Sequence, residues 1–299
     1  MITPARTLQR RGWMAALLAA AVALLAACST SGPDQNTTAA ADPGTGHLHG
    51  LGVDPADNAV YAAGHHGVFR LTGKKATRVA DRYQDTMGFT VTGPSTFLAS
   101  GHPSPADPDA PPHLGLIRST DAGRTWSTLS TEGEADFHAL EQAGSTLYGF
   151  DSQSGKLWAS TDGGRSWDQR AALPLLDLAA HPQNPRTLWA ATGKGLERST
   201  DNGRTFRAVP AAPGLVAIDE PGPGLLIALA ADGRVVSSRG GQTWTESGRL
   251  PEGGEPTVLT AVTAQRLLAA DSTDTVYEST DTGRTWTVLH RPSAPADNH

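Results

Sequence analysis

The sequence predicts an all-β chain folded as a six-bladed β-propeller, and three observations lead there. An octapeptide, Ser-x-Asp-x-Gly-x-Thr-Trp, recurs at Ser119–Trp126, Ser160–Trp167, Ser199–Phe206 and Ser279–Trp286, with a degenerate copy at Ser237–Trp244. Its serines lie 41, 39, 38 and 42 residues apart, and a period of about 40 residues is the length of one propeller blade. Between copies the chain runs through short β-rich segments divided by Gly, Pro, Asp or Asn, the pattern of consecutive antiparallel strands.

The clearest unit assigns Leu175–Ala180 to the inner strand, Thr187–Ala191 to the second, Gly195–Arg198 to the third and Thr205–Val209 to the outer one. Walking that template along the chain gives six blades, near residues 47–83, 84–129, 134–170, 172–209, 214–247 and 256–291. The first carries no octapeptide, and Leu71-Thr-Gly-Lys-Lys-Ala76 stands in its place. The sixth is complete from C-terminal sequence alone. The ring must therefore close by side-chain packing or by a strand added from before His47.

The repeated octapeptides resemble the Asp-box, or BNR repeat, of sialidase-like β-propellers. In that family the box is a structural turn between the third and fourth strands. The resemblance therefore gives Asp121, Asp162, Asp201 and Asp281 an architectural role. The residue types suit it: Asp accepts backbone N–H bonds and closes the turn, and the aromatic residue packs between neighbouring sheets. Arg239 occupies the Asp position of the degenerate copy, which predicts a loosened turn in blade five.

At the N-terminus, Arg6, Arg10 and Arg11 precede an apolar run from Trp13 to Ala27 and the tetrapeptide Leu25-Ala-Ala-Cys28. A basic region, a short apolar stretch and small residues read as a secretory leader over residues 1–27, too short for a membrane span. The ending resembles a bacterial lipobox, which implies that Cys28 is lipidated and holds the protein on the outer face of the cytoplasmic membrane. Cys28 is the sole cysteine, so no internal disulfide is expected. Residues 28–46 are polar and small, a flexible tether reaching on the order of 60 Å when stretched. Residues 292–299 read as a flexible tail.

Charge narrows the partners. Loss of the leader removes three arginines and no acids, leaving 21 basic against 30 acidic side chains and a net charge of −9. Such a balance argues against nucleic acid. A monomer is expected.

Histidines single out one face. In an up-and-down blade, the loop before the first strand and the loop between strands two and three share one mouth of the channel, and the octapeptides lie opposite. Seven of the ten histidines map to that mouth in blades one to three: His47, His49, His65, His66, His102, His113 and His138. Residues two apart on a strand face the same side, so His47 can converge with His49 and Asp136 with His138. Imidazoles with Met87 as a soft ligand and no thiolate suit copper best, zinc or nickel less well. Asp85 and Asp136 would orient ring nitrogens from behind.

Two other functions stay open. The leader, the His-rich first blade and the boxes together resemble bacterial lipoproteins commonly labelled glycosyl hydrolase or exo-α-sialidase. That resemblance implies a triad of arginines, a Tyr nucleophile and a Glu. Here the first blade opens on His47-Leu-His-Gly50 with no arginine, and Tyr83 is the one tyrosine on the correct face. A different glycoside hydrolase would draw its acid and base from Asp85, Glu134, Asp136 and Asp151. The third function is a non-catalytic propeller that docks a protein partner.

Overall fold

A computed structural model describes residues 42–181 and 183–292. The leader, Cys28, most of the tether and residues 293–299 lie outside the described residues.

Six four-stranded antiparallel sheets follow one another along the chain. Blade one is β1 (Leu48–Val53), β2 (Val60–Gly64), β3 (Gly67–Thr72) and β4 (Lys75–Arg78). Blade two is β5 (Asp85–Gly93), β6 (Thr96–His102), β7 (Leu116–Ser119) and β8 (Ser127–Ser130). Blade three is β9 (Phe137–Ala143), β10 (Thr146–Asp151), β11 (Lys156–Ser160) and β12 (Asp168–Ala172). Blade four is β13 (Leu175–Ala180), β14 (Leu188–Thr192), β15 (Gly195–Ser199) and β16 (Arg207–Ala208). Blade five is β17 (Leu215–Gly222), β18 (Leu225–Ala230), β19 (Arg234–Arg239) and β20 (Trp244–Arg249). Blade six is β21 (Pro256–Ala261), β22 (Leu267–Asp271), β23 (Val276–Ser279) and β24 (Thr287–His290). Within each blade the strands pair in sequence order.

The second strands are buried on both faces and read as near-continuous apolar runs, such as Leu188–Thr192 and Leu225–Ala230. Their side chains build six apolar clusters, most of them spanning neighbouring sheets. Leu188 of β14 meets Tyr148, Leu157 and Ala159 of blade three, and Trp189 meets Leu226, Ala228 and Val236 of blade five. Burying faces between sheets is what sets the blades side by side.

Packing also closes the ring. Leu268, Ala270 and Val276 of blade six share a cluster with Leu48, Leu51, Val60, Ala62 and Leu71 of blade one. Thr260 Oγ1 donates to the Leu51 carbonyl at 2.9 Å. Among the described residues no strand is exchanged: β1–β4 and β21–β24 each form a four-stranded sheet.

The four full octapeptides adopt one turn. In the second, Ser160 Oγ donates to Asp162 Oδ1 (2.8 Å) and accepts the Gly164 N–H (2.9 Å). Asp162 then accepts the Ser166 N–H (3.0 Å) and hydroxyl (2.6 Å). Positions four and five of each copy are left-handed, as at Gly163 (φ 76°) and Gly164 (φ 88°). Glycine supplies the second of these in every copy because a side chain there is strained. Arg124, Arg165 and Arg204 turn back onto carbonyls of their own octapeptides.

Blade five departs from the expected loosening. With Arg239 in place of Asp, β19 and β20 stay paired as far as Ser238–Trp244, so the turn tightens. Its cost appears in two buried atoms without a hydrogen-bond partner, Ser238 Oγ and Trp244 Nε1. In blade one, Thr72 pairs with Lys75 across a two-residue turn at Gly73 (φ 57°), a hairpin that needs no octapeptide.

Candidate metal centre

Three blades deliver side chains to one mouth. His47 and His49 sit at the start of β1, and His65 and His66 form the β2–β3 turn. The backbone locks these together: His65 N–H donates to the His47 carbonyl (3.1 Å), and His66 N–H to that of Thr45 (3.2 Å). Asp85 opens β5, His102 ends β6 and His113 closes the Pro-rich insertion. That insertion is pinned at its base, where Leu114 N–H donates to Gly101 and Gly133 N–H to His113 (both 2.8 Å). Gly101 is required where it stands. Its φ is 138°, and a Cβ there would collide with the Asp85 carbonyl and the Met87 amide. The close approach brings Asp85 beside His102. Asp136 and His138 come from the entry to β9.

Two groups that could hold a metal ion result, His49–His65–Asp85 and His102–His113–Asp136, each with its nitrogen and oxygen atoms within 4.8 Å of one another. The ring centroids of His49 and His65 are 4.8 Å apart, and those of His102 and His113 5.6 Å. His47 flanks the first group, 5.1 Å from His49, and its Nδ1 faces Asp274 Oδ1 at 3.2 Å. His66 turns aside to pack over Gly46. His138 binds Asp136 Oδ2 through Nε2 at 2.9 Å. Met87, half-buried on β5, follows two residues after Asp85.

Asp85 and Asp136 each face two imidazoles. Asp85 presents Oδ1 to His49 Nε2 at 3.8 Å and Oδ2 to His102 Nδ1 at 3.4 Å. Asp136 Oδ2 faces His102 Nε2 at 3.5 Å and accepts the Ser152 hydroxyl at 2.8 Å. Four atoms of the two groups are buried with no hydrogen-bond partner: His49 Nε2, Asp85 Oδ1, His113 Nδ1 and Asp136 Oδ1. An orphaned buried polar atom costs about 1–3 kcal/mol, so their concentration here is a burden that a bound cation would relieve.

Protonation states fit. Burial, with the neighbouring imidazoles of His65, His47 and His138 adding to it, lowers the His49 pKa to about 3, which leaves the neutral ring a metal needs. Burial pushes Asp136 up, but hydrogen bonds from His138 and Ser152 outweigh it and hold the pKa at about 2.

The other carboxylates and the tyrosine named for a hydrolase are not members of either group. Glu134 is exposed. Asp151 spends its oxygens on Asp136 N–H (2.9 Å) and on the Ser154 amide and hydroxyl (2.9 and 2.6 Å). Tyr83 lies under the Arg78 guanidinium, 4.0 Å from its ring centroid.

The sequence pattern passed over Asp274, Ser152 and three channel carboxylates. Asp274 lies in the β22–β23 loop, which shares the histidine mouth by the same topology rule. Glu141, Asp177 and Asp219 line a central cavity of about 290 Å³ together with inner strands of all six blades. Their signal was an acidic residue inside an apolar inner strand, as in Leu175-Leu-Asp-Leu178. Asp177 accepts Leu178 and Ile218 N–H, and Asp219 accepts Glu220 and Ala261 N–H, so each pins its blade to the next. Enclosure by the strands raises Asp177 to about 7 and Asp219 to about 6.

No family model matches this chain, and no curated protein matches it. Solved structures that resemble it are propellers of low identity. The GH74 enzyme of Niastella koreensis is 17% identical with a TM-score of 0.56 over 81% of this chain and 45% of its own. YCF48 bound to a D1 peptide is 14% identical with a TM-score of 0.51 over 82% of both chains. A chain of a nidogen/laminin complex is 13% identical with a TM-score of 0.59, over 78% of this chain and 93% of its own. The chain spans less than half the length of the GH74 enzyme. At these identities the likeness establishes the fold and leaves the chemistry to the site itself.

Proposed function

We propose that this propeller binds a transition metal at its histidine mouth, copper before zinc, for handling or homeostasis of the metal outside the cytoplasm. The observation that carries the proposal is the clustering of four orphaned buried donor atoms on two sets of two imidazoles and one carboxylate. The 3.8 Å between His49 Nε2 and Asp85 Oδ1 is too long for a hydrogen bond. It suits two donors sharing one ion, which at bonds of roughly 2.1 Å stand about 3–4.2 Å apart. His47 and His138 stand beside these sets as further donors. Among the described residues no thiolate competes.

A hydrolase built on these carboxylates finds less support. The His102 ring lies between Asp85 and Asp136 with one nitrogen toward each, where a glycosidic bond would have to sit. The leader and Cys28 belong to the same proposal. Lipid on Cys28 would hold the ring at the outer membrane face, and a lipid-modified N-terminal peptide by mass spectrometry, lost in Cys28→Ser, tests it.

The test of the function is metal content of untagged protein titrated with Cu(II) and Zn(II). Tight stoichiometric uptake is expected. No uptake at micromolar metal would sink the proposal, and a co-purifying protein in its absence would favour docking.

A further inference from the structure

We infer that the mouth takes two metal ions, in adjacent sites coupled through the carboxylate of Asp85; the inference rests on the metal-binding function proposed above. The two ligand groups share no residue: His49, His65 and Asp85 form one, His102, His113 and Asp136 the other. Each has the same composition, two imidazoles and one carboxylate. The four orphaned atoms divide evenly, His49 Nε2 and Asp85 Oδ1 to the first group, His113 Nδ1 and Asp136 Oδ1 to the second. A single ion would satisfy one pair and leave the other buried and unpaired.

His102 joins the groups. Its Nδ1 faces Asp85 Oδ2 at 3.4 Å and its Nε2 faces Asp136 Oδ2 at 3.5 Å. With the ring proton on Nδ1, directed at Asp85, the Nε2 lone pair points into the second group. A carboxylate behind a ligating imidazole is the arrangement that fixes tautomer and orientation and strengthens the ligand. Asp85 therefore serves both ions: Oδ1 is a ligand of the first, and Oδ2 orients a ligand of the second. One carboxylate against one divalent ion leaves each ligand set with a net positive charge. Sets of two imidazoles and one carboxylate also leave coordination positions open. Water or a small anion would complete each sphere.

The experiment is metal stoichiometry of the untagged full-length chain by calorimetry and elemental analysis, with Cu(II) electron paramagnetic resonance on the loaded protein. Wild type is expected to take two equivalents, with spectra broadened by the neighbouring ion. His65→Ala and His113→Ala should each keep one equivalent and lose the broadening; His113→Gln repeats the second test with a bulkier side chain. Asp85→Asn should lose the first site and weaken the second about 10-fold or more. One equivalent in wild type, abolished by either variant, would overturn the two-site inference and leave metal binding standing. Two equivalents that survive both variants would overturn it as well. No binding by wild type would remove both this inference and the function beneath it.

Discussion

His49 Nε2 and Asp85 Oδ1 face each other across 3.8 Å, both buried and neither hydrogen-bonded. Such a pair weighs on the stability of the metal-free protein, because folding strips water from both atoms and returns no partner. Replacing His49 by Leu should raise the stability of metal-free protein by about 1 kcal/mol. The same change should reduce the gain in Tm expected of wild type with Cu(II), leaving the part due to the second group. Thermal unfolding with and without metal reads both effects. A variant less stable without metal than wild type would show that His49 is held by contacts of its own.

The two adjacent histidines of the β2–β3 turn should behave differently. His65 belongs to a ligand group, whereas His66 packs over Gly46. His65→Ala should lower Cu(II) uptake, and His66→Ala should leave it unchanged within error. Equal losses in the two variants would mean that the mouth rearranges around the ion.

The octapeptide turns should contribute additively to stability. Asp121 accepts bonds from Ser119, the Thr125 amide and the Thr125 hydroxyl. Asp121→Ala should cost about 1 kcal/mol, read as a fall in Tm of roughly 2–4 °C. Hydrogen bonds from Thr125 lead the causes that hold its pKa at about 2. The contribution is therefore present above the ordinary carboxylate range and is lost as pH falls toward 2. The wild-type advantage over Asp121→Ala should shrink across that interval.

The channel carboxylates should act in the opposite direction. Burial raises Asp177 to about 7 and Asp219 to about 6, so the folded protein binds their protons more tightly than the unfolded chain does. Their contribution is full below about pH 4 and is lost as pH rises through 6 to 7. Asn at position 177 accepts one backbone bond where Asp accepts two, a loss present at every pH. On top of that fixed offset, Asp177→Asn should gain stability relative to wild type between pH 4 and pH 8, seen as a flatter Tm profile. Parallel profiles would place the Asp177 proton in water.

Much of the ring was legible in the sequence because its signals are local. Each octapeptide carries its own turn, and each strand its own apolar run, so the six blades could be counted without knowing any contact between them. The mouth was legible in the same way, since blade topology alone sends His49, His65, His102 and His113 to one end. Pairwise geometry was not. Which imidazoles Asp85 faces depends on the approach of β5 to Gly101. Spacing says nothing of that approach. The tightened blade-five turn was misjudged for a related reason. The missing carboxylate at position 239, where Arg replaces Asp, was visible, but the ladder that continues to Ser238–Trp244 is a property of the paired strands.

The seam between the first and last blades sits beside the mouth. Asp274 Oδ1 accepts the Leu48 N–H at 3.0 Å and faces His47 Nδ1 at 3.2 Å, one residue from His49 and at the point where the chain enters β1. The chain leading to it from residue 42 is held first by Arg78, which donates to Asp42 and to the Gly44 carbonyl, and by the His66 N–H on the Thr45 carbonyl. Among the described residues the seam is the one joint between blades that no chain connection crosses, and a force strong enough to part it would act directly on the donors of β1, which stand against those of β5.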